Sequence, residues 1–200
     1  MITDMIRKVT NRIAQLSKAL ETSFRKLRSA SDRARWETEA NLSQSWDSRT
    51  EQIARLIDGG TSVIEFGAGR RVLKSCLPND CRYTPSDLFD RGFGTIICDL
   101  NSSVLPQFGP YDVAVFSGVL EYVNDVSRLI MHLSKFVDTI VASYAIVETS
   151  RFDRRQAGWV NDFSSDALIA VFESAGFECD HIERWQSQAI YRFRKRIRVY

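Results

Sequence analysis

The residues with chemical potential concentrate in four short stretches. The first is Val63-Ile-Glu-Phe-Gly-Ala-Gly-Arg-Arg, an apolar run that ends in Glu65 and passes into the turn Gly67-Ala68-Gly69. Two glycines so spaced let a backbone turn tightly and approach a ligand closely. Turns of this kind serve several cofactors, and some serve none. Asp87 stands 18 residues beyond Gly69, where a carboxylate can accept both hydroxyls of a ribose. It could instead cap the loop that follows. Asp99 and Leu100 come next, a carboxylate able to accept from an adenine amino group beside an apolar side chain for the base. An Asx-turn with Asn101 is the competing use of Asp99. The fourth stretch is Ser117-Gly-Val-Leu-Glu-Tyr-Val-Asn-Asp. There Glu121 is either an acid in a cleft or an exposed carboxylate at a helix start.

The elements that must position these residues follow from hydropathy. Ser62–Phe66, Cys81–Thr84, Thr95–Cys98, Tyr111–Ser117 and Thr139–Tyr144 are short runs, most of them β-branched and without polar alternation, as in strands covered on both faces. Helical patterns separate several of them, notably Val126–Val137. This order predicts an α/β fold, a Rossmann-like, doubly wound and mainly parallel sheet. After a polar loop at Arg151–Asn161 and a helix at Ser164–Ala175, Glu178–Trp185 and Ala189–Arg194 predict an antiparallel hairpin that closes the sheet. Open sheets of this class bind ligands at the carboxyl ends of their strands, where all four stretches fall.

Two N-terminal helices precede the sheet. In residues 1–35, Met5, Val9, Ile13, Leu16, Leu20, Phe24 and Leu27 are spaced 4, 4, 3, 4, 4 and 3, a single apolar stripe close to a heptad seam. Residues 36–58 give a second helical stretch, stopped by Gly59-Gly60. The division is an amphipathic extension, 1–45, and a catalytic-type domain, 46–200. Residues 1–35 carry nine basic and three acidic side chains, and the last nine residues carry five basic and none acidic. An acidic body thus has two basic ends, which are either solvated faces or contacts for an anionic partner. Peripheral membrane contact and self-association through residues 1–35 are the two forms considered.

Composition excludes several classes. With 44% hydrophobic and 26% charged residues, the chain is neither disordered nor fibrous. No apolar run approaches the roughly 20 residues of a membrane span, and the first residues lack the order of a secretory signal, so a cytoplasmic location is expected. Cys76, Cys81, Cys98 and Cys179 form no CxxC pair and only His132 and His181 accompany them. This argues against a metal site and for reduced, mostly buried thiols. Neither histidine has a catalytic placement.

Taken together, Glu65, the Gly67-Ala68-Gly69 turn, Asp87, Asp99 with Leu100, and the segment Phe116-Ser-Gly-Val-Leu-Glu121 resemble the class I S-adenosylmethionine-dependent methyltransferases over residues 46–190. The last segment is similar to the family's VLEHVPD form, with Tyr122 in place of the histidine. The resemblance implies that the glycine turn wraps the methionine part of S-adenosylmethionine. It implies Asp87 on the ribose, Asp99 and Leu100 at the adenine, and Ser117 at the wall of the transfer cleft. Two departures stand out: Arg71 occupies the position of a third glycine, and Pro78 shortens the following helix. No catalytic residue is assigned. Methyl transfer from a sulfonium needs chiefly a positioned nucleophile, and Tyr144, Trp159 and Asn161 are placed to meet an acceptor. The Asn/Asp-Pro-Pro-Tyr/Phe signature of many amino-group methyltransferases is missing, which argues against nucleic acid. The resemblance therefore implies a small-molecule or saccharide acceptor, methylated on oxygen. The rival readings are a nicotinamide dehydrogenase, a silent methyltransferase-fold module that binds a membrane, RNA or protein through its basic ends, and a self-associating scaffold.

Overall fold

A computed structural model describes residues 2–150 and 153–196. Seven strands form one sheet: β1 (Ser62–Phe66), β2 (Arg82–Asp87), β3 (Ile96–Ile97), β4 (Tyr111–Ser117), β5 (Val137–Tyr144), β6 (Phe177–Trp185) and β7 (Gln188–Lys195). Their spatial order is β3-β2-β1-β4-β5-β7-β6. The first five are parallel, while β7 runs antiparallel to both β5 and β6. This is the expected doubly wound sheet with its C-terminal hairpin. The order reverses between β1 and β4, which opens a crevice at their carboxyl ends.

Side-chain alternation sends each strand's residues to two cores. Ile64, Phe66, Ala114, Phe116, Ile140 and Ala142 face helices α5 (Val126–Leu133) and α6 (Ser165–Ser174). Val63, Val113, Val115, Val141 and Ile190 face α3 (Asp47–Ala54) and α4 (Val72–Cys76) through Ile53, Ala54 and Leu73. Coverage on both faces is why the central strands read as continuous apolar runs. Asp125 caps α5 by accepting from the Arg128 amide, and Ser164 caps α6 by accepting from Ala167, each satisfying a free N-terminal donor.

Several boundaries differ from the sequence reading. β2 runs to Asp87 although Pro85 interrupts its pattern. β3 pairs only with Ser86 and Asp87, so Pro85 has no β3 partner whose ladder it would break. The N-terminal helix α1 spans Ile2–Leu27 and ends where Ser29 takes φ +50°. A short α2 (Arg33–Glu37) follows, capped by Asp32. The stretch 36–58 is not one helix: two 3-10 turns, Glu39–Asn41 and Gln44–Trp46, precede α3. Polar side chains there bond locally, Ser43 to the Ser45 amide and Asn41 to the Arg35 carbonyl, and so compete with helix formation. Cys98 is buried but Cys76, Cys81 and Cys179 are only half-buried, against the expectation for the thiols. Two expected features lie partly outside the described residues: the start of the loop at 151–152 and the end of the basic C-terminal stretch, 197–200, which holds Arg198.

Candidate active site

A cleft of about 310 Å³ lies over the carboxyl ends of β1, β2 and β4. Its floor is the β1–α4 turn. Gly67 and Gly69 take φ +68° and +48°. A Cβ on Gly67 would lie 2.6 Å from Val119 Cγ2, so the turn sits flush against the β4 wall only without a side chain. Arg71 takes φ +57°, the left-handed backbone a glycine would adopt without strain, and its guanidinium lies over the Phe93 ring at 3.9 Å. The departure at Arg71 is therefore accommodated locally, and the turn keeps its shape.

Asp87 closes β2 beside this turn. Its Oδ2 accepts from the Gly69 amide at 2.9 Å, and its Oδ1 accepts from the Phe89 amide at 3.2 Å. Arg91 Nε lies 3.4 Å from the same Oδ1, with both side chains more than nine-tenths buried. Glu65 is buried at the end of β1, and its Oε2 accepts from the Tyr83 hydroxyl. Burial pushes the Glu65 carboxyl up to about 8, with the nearby Asp87 adding to the rise while Tyr83 and Arg49 oppose it. Asp99 behaves differently. Its Oδ1 accepts from the Asn101 amide at 3.0 Å, the anticipated Asx-turn, and from Ser31 Oγ at 2.6 Å. Arg33 lies 4.0 Å from its Oδ2. Glu65, Gly67, Ala68, Gly69, Asp87, Leu100 and Ser117 all line the cleft, whereas Asp99 does not, although its neighbours Cys98 and Leu100 do.

Arg49 is the cleft residue that sequence reading missed. It projects from α3, is buried, and donates to Ser117 Oγ at 3.2 Å, the Ser117 carbonyl at 2.9 Å and Gln188 Oε1 at 3.0 Å. Its guanidinium carbon lies 5.8 Å from the Trp46 ring centre and 5.5 Å from that of Trp185. Burial lowers its pKa, and the charges of Glu121, Tyr122 and Glu65 oppose that. A Cβ on Gly118, at φ +68°, would fall 2.4 Å from Arg49 Nη1, so the backbone after β4 is shaped around this cation.

Glu121 is buried rather than exposed. Its Oε1 accepts from the Ala145 amide at 2.8 Å, while its Oε2 has no hydrogen-bond partner. Burial raises its pKa, against its hydrogen bonds and the charges of Arg49 and Arg154. Tyr144 and Asn161, placed at the acceptor by the sequence reading, do not line the cleft. Asn161 donates to the carbonyls of Leu120 (2.7 Å) and Val123 (2.9 Å) and accepts from the Tyr144 hydroxyl. Both hold the post-β4 segment in place. Trp159 does reach the cleft, and its Nε1 donates to the Tyr122 hydroxyl at 3.2 Å.

Comparison with known proteins decides the family. The profile of the methyltransferase domain matches residues 36–182. The chain belongs to the class I S-adenosylmethionine-dependent methyltransferases. It is thus an enzyme whose cofactor is S-adenosylmethionine. A comparison with curated proteins gives no match. Among solved structures, the methyltransferase is similar in fold to the 1,6-didemethyltoxoflavin-N1-methyltransferase of Burkholderia thailandensis, solved with S-adenosylhomocysteine, at 15% identity and TM-score 0.61, over 78% of this chain and 80% of that one. It is also similar to the N-methyltransferase NodS of Bradyrhizobium japonicum, at 14% identity and TM-score 0.58, over 77% and 87%. The 4+2 cyclase SpnF matches as well, at 15% identity and TM-score 0.59, over 76% and 81%. Its presence shows that the fold alone does not fix the reaction.

The chemistry of the cleft lining fits this cofactor. Two buried oxygens of lining residues, Ser86 Oγ and Glu121 Oε2, have no partner. Two buried cations, Arg49 and Arg91, two buried carboxyls, Glu65 and Glu121, and the strand-end carboxylate Asp87 line a single space. Among the described residues no group of three or more His, Cys, Asp or Glu side chains is arranged to hold a metal.

Proposed function

We propose that the enzyme methylates a hydroxyl of a small molecule or saccharide. The observation that carries this reading is a bridge across the cleft mouth. The strap at residues 28–46 packs over the cleft from one side and the loop at 153–163 from the other. Arg35 Nη1 joins them by donating to the Ala157 carbonyl at 2.7 Å. A mouth closed in this way admits a small acceptor or a chain end more readily than a folded polymer. The surfaces beside it are aromatic: Trp36 meets Tyr122 edge-on at 5.0 Å, and Trp159 adjoins them. Such faces receive a flat ring or the apolar face of a sugar.

S-adenosylmethionine brings the electrophilic methyl group and the thioether leaving group. The residues of the chain would bind and orient. The turn Gly67-Ala68-Gly69 would border the methionine part, and Arg49 is the cation that could meet its carboxylate. Asp87 faces the ribose once Arg91 shares or releases it. Leu100 would pack the base, and Asp99, outside the lining, could meet the adenine amino group only through Oδ2, the oxygen that Arg33 faces at 4.0 Å. Ser117 fixes Arg49 and so acts on the cofactor through it. A hydroxyl acceptor must also lose its proton. Glu121, with one oxygen unpartnered, is the candidate to take it. In this reading residues 46–200 form the catalytic domain and 1–45 an extension whose second part roofs the cleft.

The test is a transfer assay with methyl-labelled cofactor against a phenol, a hexoside and a primary amine. Labelling of the phenol or hexoside supports the reading, and labelling of the amine alone refutes it. Glu121→Gln is expected to lower kcat at least 100-fold for a hydroxyl acceptor while S-adenosylhomocysteine binding persists. Asp87→Ala is expected to weaken that binding at least tenfold, read by calorimetry, as loss of a charged hydrogen-bond partner does.

A further inference from the structure

Helix α1 carries an apolar stripe that nothing in the described chain covers. Met5, Ile6, Val9, Ile13, Leu16, Leu20, Phe24 and Leu27 are each more than half exposed. Thr22 is the one buried side chain among those described in α1, and at 100° per residue it falls about 150° round the helix from the stripe. Arg25, on the same side as Thr22, donates to Thr22 Oγ1 at 3.0 Å and pairs with Asp32 at 2.9 Å. The helix therefore meets the rest of the protein by its polar side and turns its apolar side outward. Exposed apolar surface of this extent marks an interaction site.

Two observations select the occupant. The stripe repeats every eleven residues, Met5 to Leu16 to Leu27, Val9 to Leu20 and Ile13 to Phe24. Eleven residues are close to three turns, so the stripe runs straight along the roughly 39 Å of the helix. It does not wind as the 3.5-residue period of a left-handed coiled coil requires. The charges are also one-sided. Between Met5 and Leu27 there are six basic residues and a single acid, Glu21. Lys8, Arg12 and Lys26 follow one edge of the stripe. An antiparallel second copy of α1 would bring like charges together along that edge, and a parallel copy would set it against an edge whose one carboxylate is Glu21. An anionic flat surface complements both the straight stripe and the basic edge.

We propose that α1 lies in the interface of an anionic lipid bilayer, its stripe among the acyl chains and Lys8 and Arg12 at the phosphates, while Lys26 stays beside Asp162 at 4.0 Å. No described helix is long and apolar enough to cross a membrane, so the contact is peripheral. Leu27 is followed within nine residues by Ser31, Asp32, Arg35 and Trp36, which line the cleft. The lipid-bound enzyme thus holds its active site close to the surface. This inference does not depend on the acceptor.

The test is co-sedimentation of the full chain with vesicles of phosphatidylcholine alone, or of phosphatidylcholine and phosphatidylglycerol in equal parts. Binding to the anionic vesicles, weakened by salt and much weaker on phosphatidylcholine, is expected. Leu16→Glu with Leu20→Glu should abolish it. Lys8→Gln with Arg12→Gln should weaken it about fivefold per side chain. Unchanged S-adenosylhomocysteine binding by each variant would show that it is folded. The proposal is overturned if the wild type ignores anionic vesicles or if the Glu variant binds them as well as the wild type does. It is equally overturned if sedimentation velocity finds a lipid-indifferent dimer that the Glu variant separates, since the occupant is then a second copy.

Discussion

Two carboxyls, Glu65 and Glu121, lie in the same cleft with Arg49 between them in charge, and burial works against the ionised form of all three. Glu65 shows the consequence most directly. Its carboxyl titrates near 8 in the folded protein, against an ordinary value of 4.5. Between those values the folded state holds a proton that the unfolded state has lost. Stability must therefore fall as pH rises from about 5 to 8. Glu65→Gln keeps a partner for Tyr83 and removes the titration. Thermal melts from pH 5 to pH 8 should show the wild-type Tm declining more steeply than that of Glu65→Gln. Glu121, whose carboxyl burial also raises, contributes a slope of the same sign. Parallel profiles would mean that Glu65 is ionised in the fold. At this scale the sequence was legible where a residue sits in a recognisable local pattern, as Glu65, Gly67 and Asp87 do. Arg49 was not, because its meaning lies in contacts 68 and 139 residues away, at Ser117 and Gln188. Nothing beside it in α3 marks it among the 27 basic residues of the chain.

The central strands were legible because burial on both faces leaves apolar, β-branched runs that need no context. The connections were not. Residues 36–46 carry a helical hydropathy pattern, but Ser43 and Asn41 bond to nearby backbone and turn the chain into a strap over the cleft. The loop at 153–163 has a similar logic, in which one side chain organises two elements. Asn161 spans from the loop to the segment after β4, satisfying the carbonyls of Leu120 and Val123 and the hydroxyl of Tyr144 in a buried setting. A polar residue in a polar loop reads as an acceptor contact from sequence, and only packing reveals a brace. Asn161→Ala leaves the Val123 carbonyl without a partner, while the Leu120 carbonyl keeps the Val123 amide and the Tyr144 hydroxyl keeps Arg154 and the Phe163 amide. A loss of about 1–3 kcal/mol in urea unfolding is expected. Glu121 and Tyr122 lie between the two carbonyls in sequence, so the KM for the acceptor should rise with little change in cofactor affinity. A variant that lost less than 0.5 kcal/mol would place the brace elsewhere.

The whole molecule divides unevenly between what folds it and what it presents. Both cores draw their buried residues from Ile53 onward, and the cleft lining begins at Ser31. Helix α1 contributes to neither. Its described side chains are exposed or half-buried apart from Thr22, and its ties among the described residues include the half-buried pair of Arg25 with Asp32 in the strap and the exposed pair of Lys26 with Asp162. An exposed pair such as the second contributes about 0–1 kcal/mol. Because folding free energy comes mainly from buried apolar surface, a chain lacking residues 2–27 should fold with the same sheet and cores. In a protein of this size 1 kcal/mol corresponds to about 2–4 °C, so calorimetric melting should move by no more than about 5 °C. S-adenosylhomocysteine affinity should stay within about twofold. Solubility should rise, because the eight exposed apolar side chains of α1 are gone. A fall of 10 °C or more would mean that α1 packs on the body in solution through the very stripe that faces outward here. The apolar face would then be part of the core rather than a surface for a partner, and this one melting curve separates the two architectures.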